Sequence, residues 1–288
     1  MIAHAHLPPL ALAGEVVQIA LLDDPIPPFW FLVHQALYFD LDGAGLVIDG
    51  KPYRAPVSGT GFPHPAPRVE KPAGRAIFLF LNMGAFDRLW GIDPARVTGS
   101  IAPLSHPDLD TLHTDLVAAG DDAARLAALD AHLLARHAAA PERDLPETAL
   151  ALLGEGAVPS VAALATRLGV TQRTLQRRFK ARYGITPARY ARGLRAFASV
   201  QQPGFPAISW AGVPPELDYA DQSHWLKDLR DIFAIPPRRF LDNERYDWRY
   251  HARDGSSLPR PDHPDYREFL AAQQAVRTAD LARVPQPV

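Results

Sequence analysis

Two segments of the chain repeat one another at a constant offset. Laid together, RRFKARYGITPARY (177 to 190) and KDLRDIFAIPPRRF (227 to 240) pair Phe179 with Leu229, Tyr183 with Phe233, Ile185 with Ile235, Pro187 with Pro237 and Tyr190 with Phe240, each pair 50 residues apart. A repeated apolar pattern at helical spacing implies two copies of one helical unit. The helix PARYARGLRAFASVQQ (187 to 202) joins them, and its rigidity fixes their separation.

The first copy extends back through PSVAALATRLGVTQRTLQ. Ser160 is a helix cap, and Val161, Leu164, Ala165 and Leu168 fall on one face of the helix that follows. Gly169 then supplies a turn residue tolerant of positive φ, and Thr171 caps a second helix. The pattern is helix, tight turn, helix. In the second helix Leu175 and Phe179 stand at i and i+4 and face inward, which leaves Gln172, Arg173, Gln176, Arg177 and Lys180 outside. Arg can bond both acceptors of guanine, and Gln matches the donor and acceptor edge of adenine, so a helix with this face suits the major groove. In the second copy Asp221 is the cap, and Gln222, Ser223, His224 and Lys227 are its polar face.

Charge is distributed to match. The chain has a formal net charge of −2, but residues 1 to 150 hold 10 basic and 18 acidic side chains, and residues 151 to 288 hold 20 and 14. From Gly156 to Pro215 there are nine basic residues and no acid. Such a block needs either solvent or a polyanion to take up its charge. No cysteine occurs, which excludes disulfides and thiolate metal sites and suits a reducing compartment. The opening MIAHAHLPPLALAGEVV lacks the basic start and unbroken apolar core of an export signal, and no apolar run approaches membrane-spanning length. A soluble cytoplasmic protein is therefore expected.

The first hundred residues are rich in Pro and Gly and contain the β-type runs EVVQIALL (15 to 22), FWFLVHQALYFDL (29 to 41), GLVIDG (45 to 50) and AIFLFLN (76 to 82). They predict a small antiparallel sheet or barrel, with a hairpin at Asp42-Gly43. Residues 108 to 120 and 121 to 140 predict a helical hairpin, with Gly120 closing the first helix and Leu126, Leu129 and Leu133 marking the apolar face of the second. The fold class is α+β. The expected organisation is a β-rich then helical domain over 1–140, a linker over 141–147, an all-helical domain over 148–246, and an extension over 247–288 with one helix started by Asp265 and Glu268.

Between 158 and 242 the sequence resembles the AraC family of bacterial transcriptional regulators, through SVAALATRLGVTQRTLQRRFKARYGITPARY and YADQSHWLKDLRDIFAIPPRRF. The resemblance implies an all-helical domain whose two helix-turn-helix units enter successive major grooves of double-stranded DNA. It places Arg173, Gln176, Arg177 and Lys180 on the first recognition helix and Gln222, Ser223, His224 and Lys227 on the second. It also implies that the acidic first half is a sensory or dimerisation domain, which leaves a small-molecule effector and a homodimer as further partners. The chain departs from the family pattern at Pro214-Pro215, at Asp218 in place of a turn glycine, and at Ala234 opposite Gly184. With Asp228 and Asp231 on its recognition helix, the second unit is expected to hold phosphate less well.

Other chemistry finds less support. His4, His6, His34 and His64 near strands raise a cupin-like metal-dependent enzyme as the alternative, yet no ordered ligand set accompanies them. A DNA- or partner-binding protein without sequence preference, its second unit degraded, is the other alternative. Ser58, Ser100 and Ser105 lie in no nucleophile elbow, so neither catalysis nor a cofactor is expected. If a small molecule binds, the aromatic run at 26 to 39 nominates Trp30 and His34, together with Trp90.

Overall fold

A run such as AIFLFL, apolar at every position, needs cover on both faces if it is a strand. The structure, a computed structural model, provides it. Residues 3–6, 8–30, 35–62, 67–154, 160–200, 219, 221–234, 271 and 275 are described, with the backbone alone for 3–5, 27–30, 197, 198 and 200. Of the C-terminal helix expected from Asp265, residues 271 and 275 are described and both are helical, while the segment holding Pro214, Pro215 and Asp218 lies outside the described residues.

The strands are β1 (Ala3–His6), β2 (Val16–Leu22), β3 (Ile26–Trp30), β4 (Gln35–Asp40), β5 (Leu46–Ile48), β6 (Lys51–Tyr53), β7 (Val57–Thr60), β8 (Arg68–Lys71), β9 (Ala76–Leu81) and β10 (Ile101–Pro103). They form a six-stranded sheet in the order β1-β2-β9-β4-β7-β10 and a four-stranded sheet in the order β3-β8-β5-β6. All the pairings are antiparallel. The two-residue period of a strand sends Ile77, Leu79 and Leu81 of β9 to one side and Ala76, Phe78 and Phe80 to the other. The second set joins Tyr38, Leu46 and Val69 in a core between the sheets. The first joins Leu37 and Phe39 beneath three helices, α1 (Ala85–Trp90), α2 (Pro107–Ala118) and α3 (Asp122–Ala138).

Two turn expectations are corrected. Asp42-Gly43 closes no hairpin, because β4 pairs with β7 and β9 while β5 lies in the other sheet. The Asp40 carboxylate accepts from the amides of Gly43 and Gly45 and steers the chain between sheets. The tight hairpin is β5–β6, where Ile48 pairs with Lys51 and both Asp49 and Gly50 have positive φ, as a primed turn demands. Nor does Gly120 close α2. Its cap is Ala119 in extended conformation, and the buried Arg125 of α3 reaches back to donate to the carbonyls of Leu116 and Ala119. The helical hairpin itself forms as expected, with Leu129 and Leu133 fully buried and Leu126 packed beside them.

The helices of the second half are α4 (Leu145–Gly154), α5 (Val161–Arg167), α6 (Gln172–Tyr183), α7 (Pro187–Val200) and α8 (Gln222–Phe233). α4 starts inside the stretch expected as a linker, because Asp144 and Glu147 each accept from the other's backbone amide and cap it. Its Ala149, Leu150, Leu152 and Leu153 belong to the core of the helical half, which also takes in Phe62 and Met83 from the β-rich half. A methyl group at Gly193 of α7 would stand 2.1 Å from Phe62 Cζ, so this glycine is what admits the ring. Thr98 donates to the Tyr183 carbonyl at the end of α6, and Arg182 pairs with Asp87 of α1.

Trp90 lies in the core under α3, where its indole N–H donates to His132 Nε2 at 3.1 Å and the rings stack. Burial holds the His132 imidazole below its ordinary value, and the acceptor role requires the neutral ring. The unfolded chain therefore binds this proton near pH 6.5 and the folded chain only at lower pH, so the associated stability is complete above that value and declines below it. Urea unfolding of wild type and His132→Gln should show wild type losing its advantage as the pH falls below about 6.5. A gap that does not change with pH would contradict the assignment.

Candidate nucleic-acid interface

The first helix-turn-helix forms from the residues that specify it. The Ser160 hydroxyl accepts from the Ala163 amide and starts α5, whose Leu164 and Ala165 are buried. Gly169, at φ 66°, makes the turn, and the Thr171 hydroxyl accepts from the Thr174 amide to start α6. Leu175, Phe179 and Tyr183 of α6 are each fully buried. The Phe179 ring meets Tyr183 edge-on at 4.8 Å and Tyr190 of α7 at 6.1 Å. With that face fixed, Gln172, Arg173, Gln176, Arg177 and Lys180 are all exposed, as their spacing predicted. Arg178 is exposed beside them.

α8 repeats α6 at the same offset. Asp221 caps it by accepting from the His224 amide, and Trp225, Leu229 and Phe233 are buried where Leu175, Phe179 and Tyr183 are. Its outer stripe differs from the one read in the sequence. Ser223 and Lys227 are exposed, while Gln222 and His224 are half-buried. The Gln222 side-chain nitrogen is enclosed, and the His224 ring lies edge-on to Tyr219 at 5.2 Å. Arg230 completes the stripe at i+7 from Ser223 and was missed. The 50-residue offset would have found it, since Arg173, Arg177 and Lys180 correspond to Ser223, Lys227 and Arg230.

Apart from Arg167, the basic residues of the acid-free run divide into two groups. Arg173, Arg177, Arg178 and Lys180 point outward with no carboxylate partner among the described residues. Arg182, Arg192 and Arg195 pair with carboxylates, and Arg189 donates to the Asp231 carbonyl. Asp228 does not weaken the outer face of α8 as expected. It is 1% exposed and faces α7 with its charge taken by Arg192 and Arg195, and Asp231 also pairs with Arg192.

The other candidate residues are only partly described. Trp90 is packed in the core, Trp30 lies on β3, and His34 is outside the described residues. A cavity of about 90 Å³ lies where the two halves meet, lined by Glu15, Asn82, Arg88, Arg143, Glu147 and Tyr190. Burial raises the Glu147 carboxyl above its ordinary value. His6 bonds to Asp130 at 2.8 Å, the His4 side chain is not described, and His64 lies outside the described residues. Among the described residues no cluster of three or more His, Asp or Glu is placed to hold a metal, and no helix is long and apolar enough to cross a membrane.

Residues 164–243 match the family described as a helix-turn-helix domain. The chain carries an AraC-type helix-turn-helix domain. That domain supports a DNA-binding transcription regulator. No curated protein matches the chain. Among solved structures it is similar to an apo ToxT variant from Vibrio cholerae strain SCE256, with TM-score 0.39 and 11% identity over 78% of this chain and 97% of that one. It is also similar to ToxT from Vibrio cholerae O395, with TM-score 0.41 and 9% identity over 77% and 95%.

Two substitutions probe the AraC-type domain's framework. Phe179→Ala should cost about 3 to 5 kcal/mol by opening a cavity beneath α6. Ala234, which ends α8 at φ 55°, holds the left-handed geometry that Gly184 holds at φ 72° after α6. Ala234→Gly should therefore stabilise the fold by roughly 0.5 to 1 kcal/mol, against the usual penalty for adding a glycine. Urea unfolding measures both.

Proposed function

We propose that this chain is a sequence-specific regulator whose first unit reads bases through Arg173, Gln176, Arg177 and Lys180, while Ser223, Lys227 and Arg230 of the second hold backbone phosphates. The observation that carries this reading is the outer face of α6, whose charge no carboxylate among the described residues compensates and whose direction three fully buried side chains fix. Guanidinium groups without a carboxylate partner keep their donors free for guanine or phosphate. α8 offers one hydroxyl and two cations along its outer stripe, which suits phosphate contact better than base recognition.

The β-rich half is the sensory or dimerisation part of this reading, and residues 148–246 the reading part. Thr98, Asp87 and Phe62 support their coupling, because each touches the end of α6 or the face of α7. A ligand that rearranges the β-rich half would act on the recognition helix through those contacts, without covering its outer face.

Selection of binding sites from a randomised duplex pool tests the reading. Wild type should enrich a defined site, and Arg177→Ala should relax preference at one base position, losing about 1 to 3 kcal/mol of discrimination there. Lys227→Ala should instead leave the preferred bases unchanged and lower the slope of log affinity against log salt by about 0.9. Uniform recovery of the pool by wild type would make the chain a polyanion binder without sequence preference.

A further inference from the structure

Asp228 of α8 stands 50 residues after Arg178 of α6, yet one side chain is buried and the other exposed. The difference lies in what packs alongside, since α8 rests against α7. Arg192 donates to Asp228 Oδ1 through Nε at 2.9 Å and Nη2 at 2.6 Å, and Arg195 Nη2 donates to Oδ2 at 3.2 Å. The Arg192 Nη2 also reaches Asp231 at 3.1 Å, and hydrogen bonding to Asp228 raises the Arg192 pKa above its ordinary value. Arg195 lies over the Tyr219 ring at 4.9 Å, and Tyr219 in turn meets His224 in the first turn of α8. Farther along α7 the Trp225 indole N–H donates to the Ser199 hydroxyl at 2.8 Å.

Apolar contact is non-directional and tolerates small sliding or rotation of one helix on another. Charged hydrogen bonds from two guanidinium groups to one enclosed carboxylate do not, because each bond has a preferred direction and length. At its other end α7 is held to α6 through Tyr190 and Phe179. The distance and angle between the two outer stripes, Arg173 to Lys180 and Ser223 to Arg230, are therefore set through α7. The polar contact that fixes α8 to it centres on Asp228.

We propose that Asp228 is a positioning residue that touches no DNA and, by engaging Arg192 and Arg195, sets the single spacing at which both recognition helices bind together. This rests on the DNA-reading role assigned above to α6 and α8.

The test is selection from a randomised duplex pool with the full chain as wild type, Asp228→Asn and Asp228→Glu, each checked for a cooperative thermal transition. Wild type should enrich a two-part site with one fixed gap. Asp228→Asn, nearly the same size but uncharged, should enrich the same bases with a spread of gaps, and should lose about tenfold or more in affinity for the fixed-gap duplex. Its affinity for a duplex carrying only the first part should stay unchanged. Asp228→Glu, which keeps the charge, should narrow the gap again. If Asp228→Asn does not fold, Arg195→Gln takes its place, and a broadened gap is expected there too. A fixed gap in the folded neutral variant, or in Arg195→Gln where that is the one tested, overturns the inference while leaving the proposed function intact. A wild type that enriches only one half-site overturns it as well. A wild type that enriches nothing fails the DNA-reading role itself and the inference with it.

Discussion

The burial of Leu175, Phe179 and Tyr183 decides the direction in which every functional side chain of the first unit points. A helix with apolar groups at i, i+4 and i+8 has a preferred rotation about its axis once those groups reach a core. Here the core is lined by Leu164, Tyr190 and side chains of α4, so the rotation is settled and the cationic side faces solvent. Full enclosure of a phenylalanine contributes roughly 1.5 to 3 kcal/mol through removal of apolar surface from water. Desolvating the arginines of that helix would cost more, so the opposite rotation does not compete.

The same side chain does opposite work on neighbouring helices. Arg173, Arg177 and Arg178 on the outer side of α6 are exposed with no carboxylate partner among the described residues, whereas Arg182 at its end and the arginines of α7 bond to protein groups. What separates them is the partner surface. α8 brings two aspartates to α7, while no described acid faces the middle of α6. Counting basic residues along the run therefore overstates the charge free for a polyanion.

Much of this was legible. The 50-residue repeat, the caps at Ser160, Thr171 and Asp221, the turn at Gly169 and the phase of α6 all follow from local chemistry, and local chemistry is what a sequence displays. The phase of α8 was harder, because Gln222 and His224 look polar and hence external, yet the Gln222 nitrogen is enclosed and Tyr219 lies against the His224 ring. Asp228 misled for the same reason, since a carboxylate on a DNA-facing helix reads as exposed until its two arginines are seen. In the β-rich half the strands were partly visible, but their partners were not. Asp42-Gly43 and Asp49-Gly50 carry the same turn signal, and only long-range pairing decides which closes a hairpin. α4 begins at Leu145, inside the expected linker, because Asp144 and Glu147, read as alternating charge, form a capping box.

Phe62 and Met83 are part of the helical core although they come from the other half of the chain. Severing the polypeptide ahead of α4 would thus leave the excised helices with a notch at Gly193 and a vacant seat near Leu150, both lined by greasy surface. A fragment of that kind would be a poor stand-in for the intact molecule, and its affinity for a duplex would report on a damaged scaffold as much as on the reading helices.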